Sequence, residues 1–344
     1  MILMDMKLTK KICFLIYDNR SGSTYLSALL DTFDEIGVTL ESPFLFNLLT
    51  GKKNYKSEID VERTVKNIYT DKQFQGWKVP VDYLNRQIVA KPPKKNTDLI
   101  YLILESYFSL YKPNASCWLY KCGNPYLIKR LKINFPDAKY IFIYRDGRSV
   151  FCSKKKAISL TSNRPMEEDP IIAAKIWKKY LKIIRENENK IDIHKVKYEE
   201  LITDPTQEIS KIFAFLMGFM PSEDKINFNM GSYYNKIPSS QLKLHPNVAK
   251  KPLISRIDGW KREIEVNEAY FYEKTAAPIL KLWGYEIYYL PDPNLKINKI
   301  EMLSYRSKLI VRRLKVQFRK VFYYAFHPIH AWKKIITKLE TNLS

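Results

Sequence analysis

The sequence feature that most constrains the fold is a short apolar run followed by a polar loop that contains one glycine. The run is Lys11–Tyr17, and its apolar character predicts a buried strand. Asp-Asn-Arg-Ser-Gly-Ser follows at residues 18–23, and residues 24–33 then carry leucines at helical spacing. A strand, a tight loop and a helix in this order form the opening unit of a parallel α/β sheet.

The same alternation of strands and helices continues along the chain. Apolar runs predict strands at 118–121, at Lys139–Tyr144 and, as an edge strand, at 194–197. Helical periodicity predicts helices at 125–135, 146–156, 170–186, Pro205–Met217 and 268–283. In the helix at 170–186 the apolar face is expected to hold Ile172, Ile176, Tyr180 and Ile184. Residues 218–255 are interrupted by prolines and are expected to form a long loop over an active site. The sequence therefore predicts an α/β fold, a P-loop-like parallel sheet flanked by helices.

The charge balance favours anionic partners. Lys and Arg number 58 against 36 Asp and Glu, which gives a formal net charge of +22. Nucleotides, nucleic acid, sulfated or acidic substrates and anionic lipid surfaces all suit such an excess. Charge alone does not choose among them, and since the chain carries no nucleic-acid-binding motif, no nucleic-acid partner is expected.

Cysteine and histidine usage argues against a disulfide framework and a metal site. Cys13, Cys117, Cys122 and Cys152 form no C-x-x-C pair, and the four histidines are too scattered for a zinc signature. Reduced thiols and no metal are expected. Lysines interrupt the first eleven residues, which therefore lack the apolar run of a signal peptide. A cytoplasmic protein is expected, either soluble or peripheral to a membrane.

The C-terminal residues differ from the rest in composition. Residues 300–344 hold ten Lys and Arg against two Glu, with Ile310, Leu314 and Phe318 at helical spacing. We expect one domain at 1–295 and a basic amphipathic helical tail at 296–344. Such a helix suits an anionic membrane surface. Alternatively, it docks on the domain with its basic face solvated.

The loop after the first strand is a candidate anion site. Backbone N–H groups at a helix N-terminus, with Gly22 in the turn, can cradle a phosphate. Ser21, Ser23 and Thr24 add hydroxyl groups, and Arg20 adds a planar positive charge. The lysine and second glycine of a P-loop kinase are missing, which counts against a kinase. Ser-Gly-Ser is also ordinary turn chemistry, so this loop alone is a weak signal.

A second candidate anion site follows the strand Lys139–Tyr144. Arg145 lies at the carboxyl end of that strand, where open α/β sheets bind ligands. Ser153 lies eight residues later, about two turns into the next helix. The two side chains could hold one phosphate together. Alternatively, Arg145 caps the helix or pairs with Asp146.

The two motifs together suit a nucleotide with phosphates at both ends, and here the sequence resembles the sulfotransferases that use 3′-phosphoadenosine-5′-phosphosulfate (PAPS). Residues 20–24 resemble their 5′-phosphosulfate loop, and Arg145 with Ser153 resembles their 3′-phosphate motif. Residues 119–125 and 131–145 are similar to the carbohydrate and tyrosylprotein branches. The resemblance continues through the segments 197–216, 256–261 and 280–285. The cytosolic hormone-type branch instead has a lysine where Arg20 stands.

The resemblance implies roles for further residues. Glu41 lies where the tyrosylprotein-type enzymes place their catalytic base, although a solvated loop carboxylate is the alternative. Lys121 matches a lysine near the bridging oxygen, where charge grows as the sulfuryl group leaves; Arg20 shares that role. Lys78 competes with Lys121 for it, and a lysine at a strand end can also simply reach solvent. Further expected contacts are Tyr198 and Arg256 on the nucleotide side and Ser239 or Ser240 on the sulfuryl group.

The expected activity is direct transfer of the sulfuryl group from PAPS to a hydroxyl acceptor, which leaves 3′-phosphoadenosine-5′-phosphate (PAP). The resemblance requires no metal and no covalent intermediate. A glycan or glycolipid hydroxyl is the first expectation for the acceptor, and tyrosine in an acidic peptide is the second. Two other interpretations stay open on the sequence: a non-catalytic nucleotide- or polyanion-binding protein of the same fold, and a small-molecule kinase.

Overall fold

The protein is built on one five-stranded parallel sheet. The computed structural model describes residues 10–51, 54–159, 162–222, 231–237 and 254–290, with residues 226 and 228 and part of 300–318. The strands are β1 (Lys11–Tyr17), β2 (Ile36–Val38), β3 (Cys117–Cys122), β4 (Lys139–Tyr144) and β5 (Asp192–Lys197). Their order in the sheet is β2-β3-β1-β4-β5, and every neighbouring pair is parallel.

Helices connect the strands and cover the sheet. The helices before β3 are α1 (Ser23–Leu30), α2 (Phe44–Thr50), α3 (Glu58–Tyr69), α4 (Lys72–Gln75), α5 (Val81–Ala90) and α6 (Asn96–Tyr111). Those before β5 are α7 (Ile128–Asn134), α8 (Gly147–Lys156) and α9 (Pro170–Asn187). Those after it are α10 (Tyr198–Thr203), α11 (Pro205–Met217), α12 (Gly231–Lys236), α13 (Trp260–Glu263) and α14 (Val266–Leu282). Short 3-10 turns lie at Pro125–Leu127, Glu188–Lys190 and Ile254–Arg256.

The central strand explains how the site is assembled. β1 is buried after its first residue because helices cover both faces of the sheet, as parallel sheets require. In register, Leu15 of β1 pairs with Lys121 of β3, and Tyr17 pairs with Ile143 of β4. Parallel strands end on the same edge, so the loops after β1, β3, β4 and β5 lie side by side.

The α/β prediction is confirmed, and most elements lie within a few residues of their predicted bounds. The structure corrects the expected face of α9: Trp177 and Leu181 are buried, whereas Ile176 and Tyr180 are only half-buried. The predicted loop at 218–255 contains the short helix α12, whose Tyr233 is buried. β2 was not predicted, because three residues around a glycine give no periodic signal.

All four cysteines are buried free thiols. Across the described residues, no helix is both long and apolar enough to cross a membrane. Most of the predicted tail at 296–344 lies outside the described residues.

Candidate active site

The loop after β1 has the backbone of an anion cradle. Gly22 precedes α1 with φ +95°, and Arg20 has φ +76°, a region that non-glycine residues rarely adopt. Such strain, about 1–3 kcal/mol per residue, tends to persist at functional sites. The Ser21 hydroxyl donates to the Asp18 carbonyl oxygen within the loop, while Ser23 opens the buried first turn of α1.

Gly22 allows this loop to lie against the ring of Tyr198. A Cβ atom at position 22 would overlap the Cδ2 and Cε2 atoms of that ring. Tyr198 itself is the first residue of α10, directly after β5. The glycine is therefore required both for its positive φ and for this close approach.

Three arginines from separate segments meet around Tyr198. Arg20 Nε donates to Ser153 Oγ at 3.0 Å. Arg145 Nη2 donates to the Arg256 carbonyl oxygen at 3.0 Å, and its guanidinium carbon lies 4.4 Å from the centre of the Tyr198 ring. Among the described residues, Arg145 Nε is buried and has no hydrogen-bond partner. The structure thus brings the predicted nucleotide residues into one cluster.

The electrostatics of this cluster favour an anion. Burial lowers the pKa of Arg20 most, and the neighbouring positive charge of Arg145 lowers it further. Burial raises the pKa of Tyr198, which keeps its hydroxyl protonated near neutral pH. Cations held this close repel one another, so a bound phosphate would stabilise the arrangement.

The alternative that Arg145 pairs with Asp146 does not hold in the structure. The Asp146 carboxylate accepts hydrogen bonds from the backbone N–H and the side chain of Arg148. Arg148 is 1% exposed, also pairs with Glu273 of α14 at 2.5 Å, and stacks 3.9 Å from the Trp260 ring centre. Arg148 therefore joins α8 to the C-terminal helices, and Arg145 is left to face Tyr198.

A buried ion pair joins the two anion-binding segments. Lys154 of α8 contacts Asp18 of the first loop at 2.6 Å, and both side chains are about one-tenth exposed. Lys154 follows Ser153 directly, so the pair reinforces the contact between Arg20 and Ser153. The sequence analysis missed it, because nothing in the local pattern links positions so far apart.

A second group of polar residues lies on the side of the loop after β1 that faces away from the arginine cluster. Lys121, the fifth residue of β3, is 5% exposed, and its Nζ lies 3.5 Å from Thr24 Oγ1. Burial lowers the pKa of Lys121 to about 8, against the opposing effect of the Glu41 carboxylate. Glu41 reaches the end of β3, where a Cβ at Gly123 would lie 3.2 Å from its Oε1 atom. Lys121 and Glu41 therefore lie near each other beside the loop.

Lys78, the competitor of Lys121, is exposed, and its carbonyl oxygen accepts from the Tyr111 hydroxyl at 2.7 Å. Its backbone φ is +53°. No described contact joins its ammonium group to Thr24 or Glu41. The geometry favours Lys121.

Two tyrosines that the sequence analysis did not select flank Lys121. The Lys121 ammonium lies 5.7 Å from the ring centre of Tyr17 and 5.8 Å from that of Tyr233. Tyr233 reaches this position because α12 packs on α1, where Lys236 pairs at 2.6 Å with the buried Asp31. The predicted sulfuryl contacts Ser239 and Ser240 lie outside the described residues.

Comparison with known proteins identifies the family. The profile described as the sulfotransferase family matches residues 14–218, more than half of the chain. No curated protein matches the chain in sequence. Among solved structures, the sulfotransferase domain from the Synechococcus PCC 7002 olefin synthase has a TM-score of 0.58 at 17% identity, with 81% of this chain and 97% of that chain covered.

The sulfotransferase domain from the curacin biosynthetic pathway has a TM-score of 0.53 at 19% identity, with 81% of this chain and 99% of that chain covered. At these identities the likeness establishes the fold. The family match begins at Phe14, within β1, and includes the loop after β1 and the segment that holds Arg145 and Ser153. The chain therefore belongs to the sulfotransferase family and is a PAPS-dependent sulfotransferase.

Proposed function

We propose that this sulfotransferase moves the sulfuryl group of PAPS to a hydroxyl acceptor by in-line displacement, with Glu41 as the base. The observation that carries the proposal is that the loop after β1 contacts both the arginine cluster and the group of residues around Lys121. On one side Arg20 contacts Ser153, and on the other Thr24 contacts Lys121. A nucleotide held by the arginine cluster would therefore present its 5′ end beside a buried lysine and a carboxylate.

The proposed binding site for PAPS rests on the hydrogen-bond donors and positive charges that these residues supply. The residues proposed to hold PAPS are Arg20, Ser21, Gly22, Ser23, Thr24, Arg145, Ser153, Tyr198 and Arg256. Arg145 and Ser153 would take the 3′-phosphate, for which the unpartnered Arg145 Nε is a ready donor within the described chain. The backbone of the loop would take the 5′-phosphosulfate. The hydroxyl and the backbone N–H of Ser21 both donate to the Asp18 carbonyl oxygen, so Ser21 would have to exchange one of these hydrogen bonds to contact PAPS.

The transfer step moves one proton and one group. Glu41 would accept the proton of the acceptor hydroxyl while the acceptor oxygen forms a bond to sulfur. The bond between sulfur and the 5′-phosphate oxygen breaks, and the charge that develops on that oxygen is stabilised by Lys121, Arg20 and the loop N–H groups. Catalysis of this kind consists mainly of positioning and fixed electrostatics.

Glu41→Gln tests the base directly. The amide cannot accept the proton, so we expect turnover of labelled PAPS to fall about 10²- to 10⁴-fold, the usual contribution of a positioned base. PAP affinity should stay within about twofold of the wild type, since the donor cluster is untouched. Glu62→Gln, on the exposed face of α3, is the matched control. Full turnover in Glu41→Gln would refute the assignment.

For the acceptor we propose a glycan or glycolipid hydroxyl, with tyrosine in an acidic peptide as the competing class. Support comes from the resemblance of 119–125 and 131–145 to the carbohydrate branch, which the tyrosylprotein branch shares. The net charge of +22 suits the acidic peptide. A screen with labelled PAPS, run in parallel on oligosaccharides, glycolipid vesicles and acidic tyrosine peptides, separates the two classes.

We also propose that residues 1–295 form the catalytic domain and 296–344 a membrane-directed tail. Tyr305 is buried against Phe271 of α14, whereas Ile310, Leu314 and Phe318, four residues apart, are exposed. An exposed apolar stripe in a basic segment suits an anionic lipid surface. Sedimentation with phosphatidylcholine vesicles, with and without phosphatidylserine, tests it: Leu314→Glu should abolish binding to the anionic vesicles. The free buried thiols support a reducing, cytoplasmic location.

A further inference from the structure

Tyr17, the last residue of β1, has a buried hydroxyl that the donor site does not use. The side chain is 1% exposed, and in the described part of the chain its oxygen makes no hydrogen bond of standard geometry, although the Glu41 carboxylate lies close enough to act on it. Burying a hydroxyl without a partner costs about 1–3 kcal/mol. A phenylalanine would fill the same space without that cost, so the hydroxyl calls for a functional explanation.

The Tyr17 ring and the Glu41 carboxylate meet at Gly123. A Cβ at position 123 would lie 3.0 Å from Tyr17 Cε2 and 3.2 Å from Glu41 Oε1. The glycine thus leaves both groups room at the carboxyl end of β3. Lys121, 5.7 Å from the Tyr17 ring centre, lies in the same group of residues.

The electrostatics keep Tyr17 able to donate. Burial raises the pKa of Tyr17 well above its ordinary value, and the negative charge of Glu41 raises it further. Cys122 and Tyr233 act in the same direction with smaller effects. The phenol is therefore protonated near neutral pH, and toward a carboxylate it acts as the donor.

The other hydroxyls that face Glu41 are engaged elsewhere. The negative charge of Glu41 acts on the pKa values of Tyr17 from β1, of Tyr120, Lys121 and Cys122 from β3, and of Tyr233 from α12. The Tyr120 hydroxyl donates to the Ser42 carbonyl oxygen, and the Tyr233 hydroxyl donates to the Thr39 carbonyl oxygen at 3.4 Å. Within the described residues this leaves Tyr17 as the tyrosine hydroxyl that can serve Glu41.

We propose that Tyr17 is a positioning residue of the acceptor site, whose hydroxyl donates a hydrogen bond to the Glu41 carboxylate and holds it toward the acceptor. This role rests on the proposed function, in which Glu41 is the base. A carboxylate fixed in this way would meet the acceptor hydroxyl in one orientation, which is how supporting hydrogen bonds contribute to catalysis.

Difference infrared spectroscopy of the full-length protein with PAP bound tests the hydrogen bond without an acceptor. With glutamate carboxyls labelled with ¹³C, Tyr17→Phe is compared with the wild type. We expect one carboxylate band to shift, and the shift to vanish when both proteins carry Glu41→Gln. Tyr140→Phe is the matched control, because Tyr140 also has a buried hydroxyl without a partner among the described residues. It should leave the glutamate bands unchanged.

Calorimetry with PAP checks that the donor site is intact, and we expect affinity within about twofold of the wild type. Should Tyr17→Phe fail to fold, the reciprocal experiment applies: Glu41→Gln should shift the C–O band of one ring-labelled tyrosine. An absent shift in either experiment, or a Tyr17→Phe shift that persists with Glu41→Gln, would overturn the proposal. A shift combined with full turnover of Glu41→Gln would instead refute the base assignment and leave the hydrogen bond standing.

Discussion

Arg20 Nε and Ser153 Oγ form a hydrogen bond of 3.0 Å between residues 133 positions apart. The bond joins the loop after β1 to the helix after β4, and these two strands are neighbours at the centre of the sheet. The segments that would hold the two phosphates of PAP are therefore in contact, and a substitution in one segment should alter how the other segment binds its phosphate.

Ser153→Ala tests this contact. The variant removes the hydroxyl that Arg20 contacts and, in the proposed complex, a ligand of the 3′-phosphate. A hydrogen bond to a charged group contributes about 1.5–3 kcal/mol, so PAP affinity should fall about tenfold or more. AMP, which lacks the 3′-phosphate, should lose less in the same calorimetric titration. Equal losses for PAP and AMP would argue against the placement of the 3′-phosphate.

Lys121 should set the alkaline limit of activity. Its pKa is lowered to about 8 by burial, so the side chain is charged below that pH and neutral above it. Since kcat/KM reports the free enzyme, kcat/KM for PAPS should fall as pH rises through about 8. Lys121→Arg keeps its charge and should remove this fall in kcat/KM above about pH 8, whereas Lys121→Met should be slow at every pH. A wild-type profile that stays flat to pH 10 would contradict the assignment.

The pair of Asp18 and Lys154 should be important for stability as well as for the site. Lys154→Met leaves the Asp18 carboxylate buried without its partner, which typically costs about 3–5 kcal/mol. Adding Asp18→Asn removes the buried charge and should recover most of the loss. Urea unfolding of the wild type, of Lys154→Met and of the double variant measures both effects. If Lys154→Met lost less than about 1 kcal/mol in the free energy of unfolding, water would be solvating the Asp18 carboxylate in place of Lys154.

Gly22→Ala should prevent formation of the anion cradle. The new Cβ would overlap the Tyr198 ring and also force an alanine to φ +95°, so PAP binding should fall by more than tenfold. Gly218→Ala is the matched control, because Gly218 has φ +93° and a Cβ there meets no atom within 4 Å in the described structure. It should cost about 1 kcal/mol of stability and leave PAP affinity unchanged. Normal PAP affinity in Gly22→Ala would contradict the described loop.

The sequence predicted the parts of the fold that carry local periodic signals. Lys11–Tyr17 and Lys139–Tyr144 have the predicted bounds, because uninterrupted apolar runs mark strands buried on both faces. The helices between residues 43 and 112 were not assigned, and β2 was missed. The buried face of α9 differs from the predicted one and contains Trp177 and Leu181. The pattern of a single helix does not show which of its faces packs against neighbouring elements.

The candidate site was predicted where a motif is local and missed where it depends on packing. Residues 20–24 and the pair of Arg145 and Ser153 were selected in advance, and the structure brings them together. Tyr17 read as the end of an apolar strand, and Lys154 as one of three consecutive lysines. The role proposed for Tyr17 depends on Glu41, more than 20 residues away, and the ion pair of Lys154 depends on Asp18, more than 100 residues away. No local pattern encodes either partner.

The most direct test of the account is calorimetric titration with PAP, with AMP and ATP as comparison ligands. We predict micromolar binding of PAP, weaker binding of AMP and ATP, and a loss of at least tenfold in Arg145→Ala. Arg130→Ala, which removes an exposed arginine on α7, should bind PAP as the wild type does. A preference for ATP, or equal PAP affinity in the Arg145→Ala and Arg130→Ala variants, would contradict the proposed donor site.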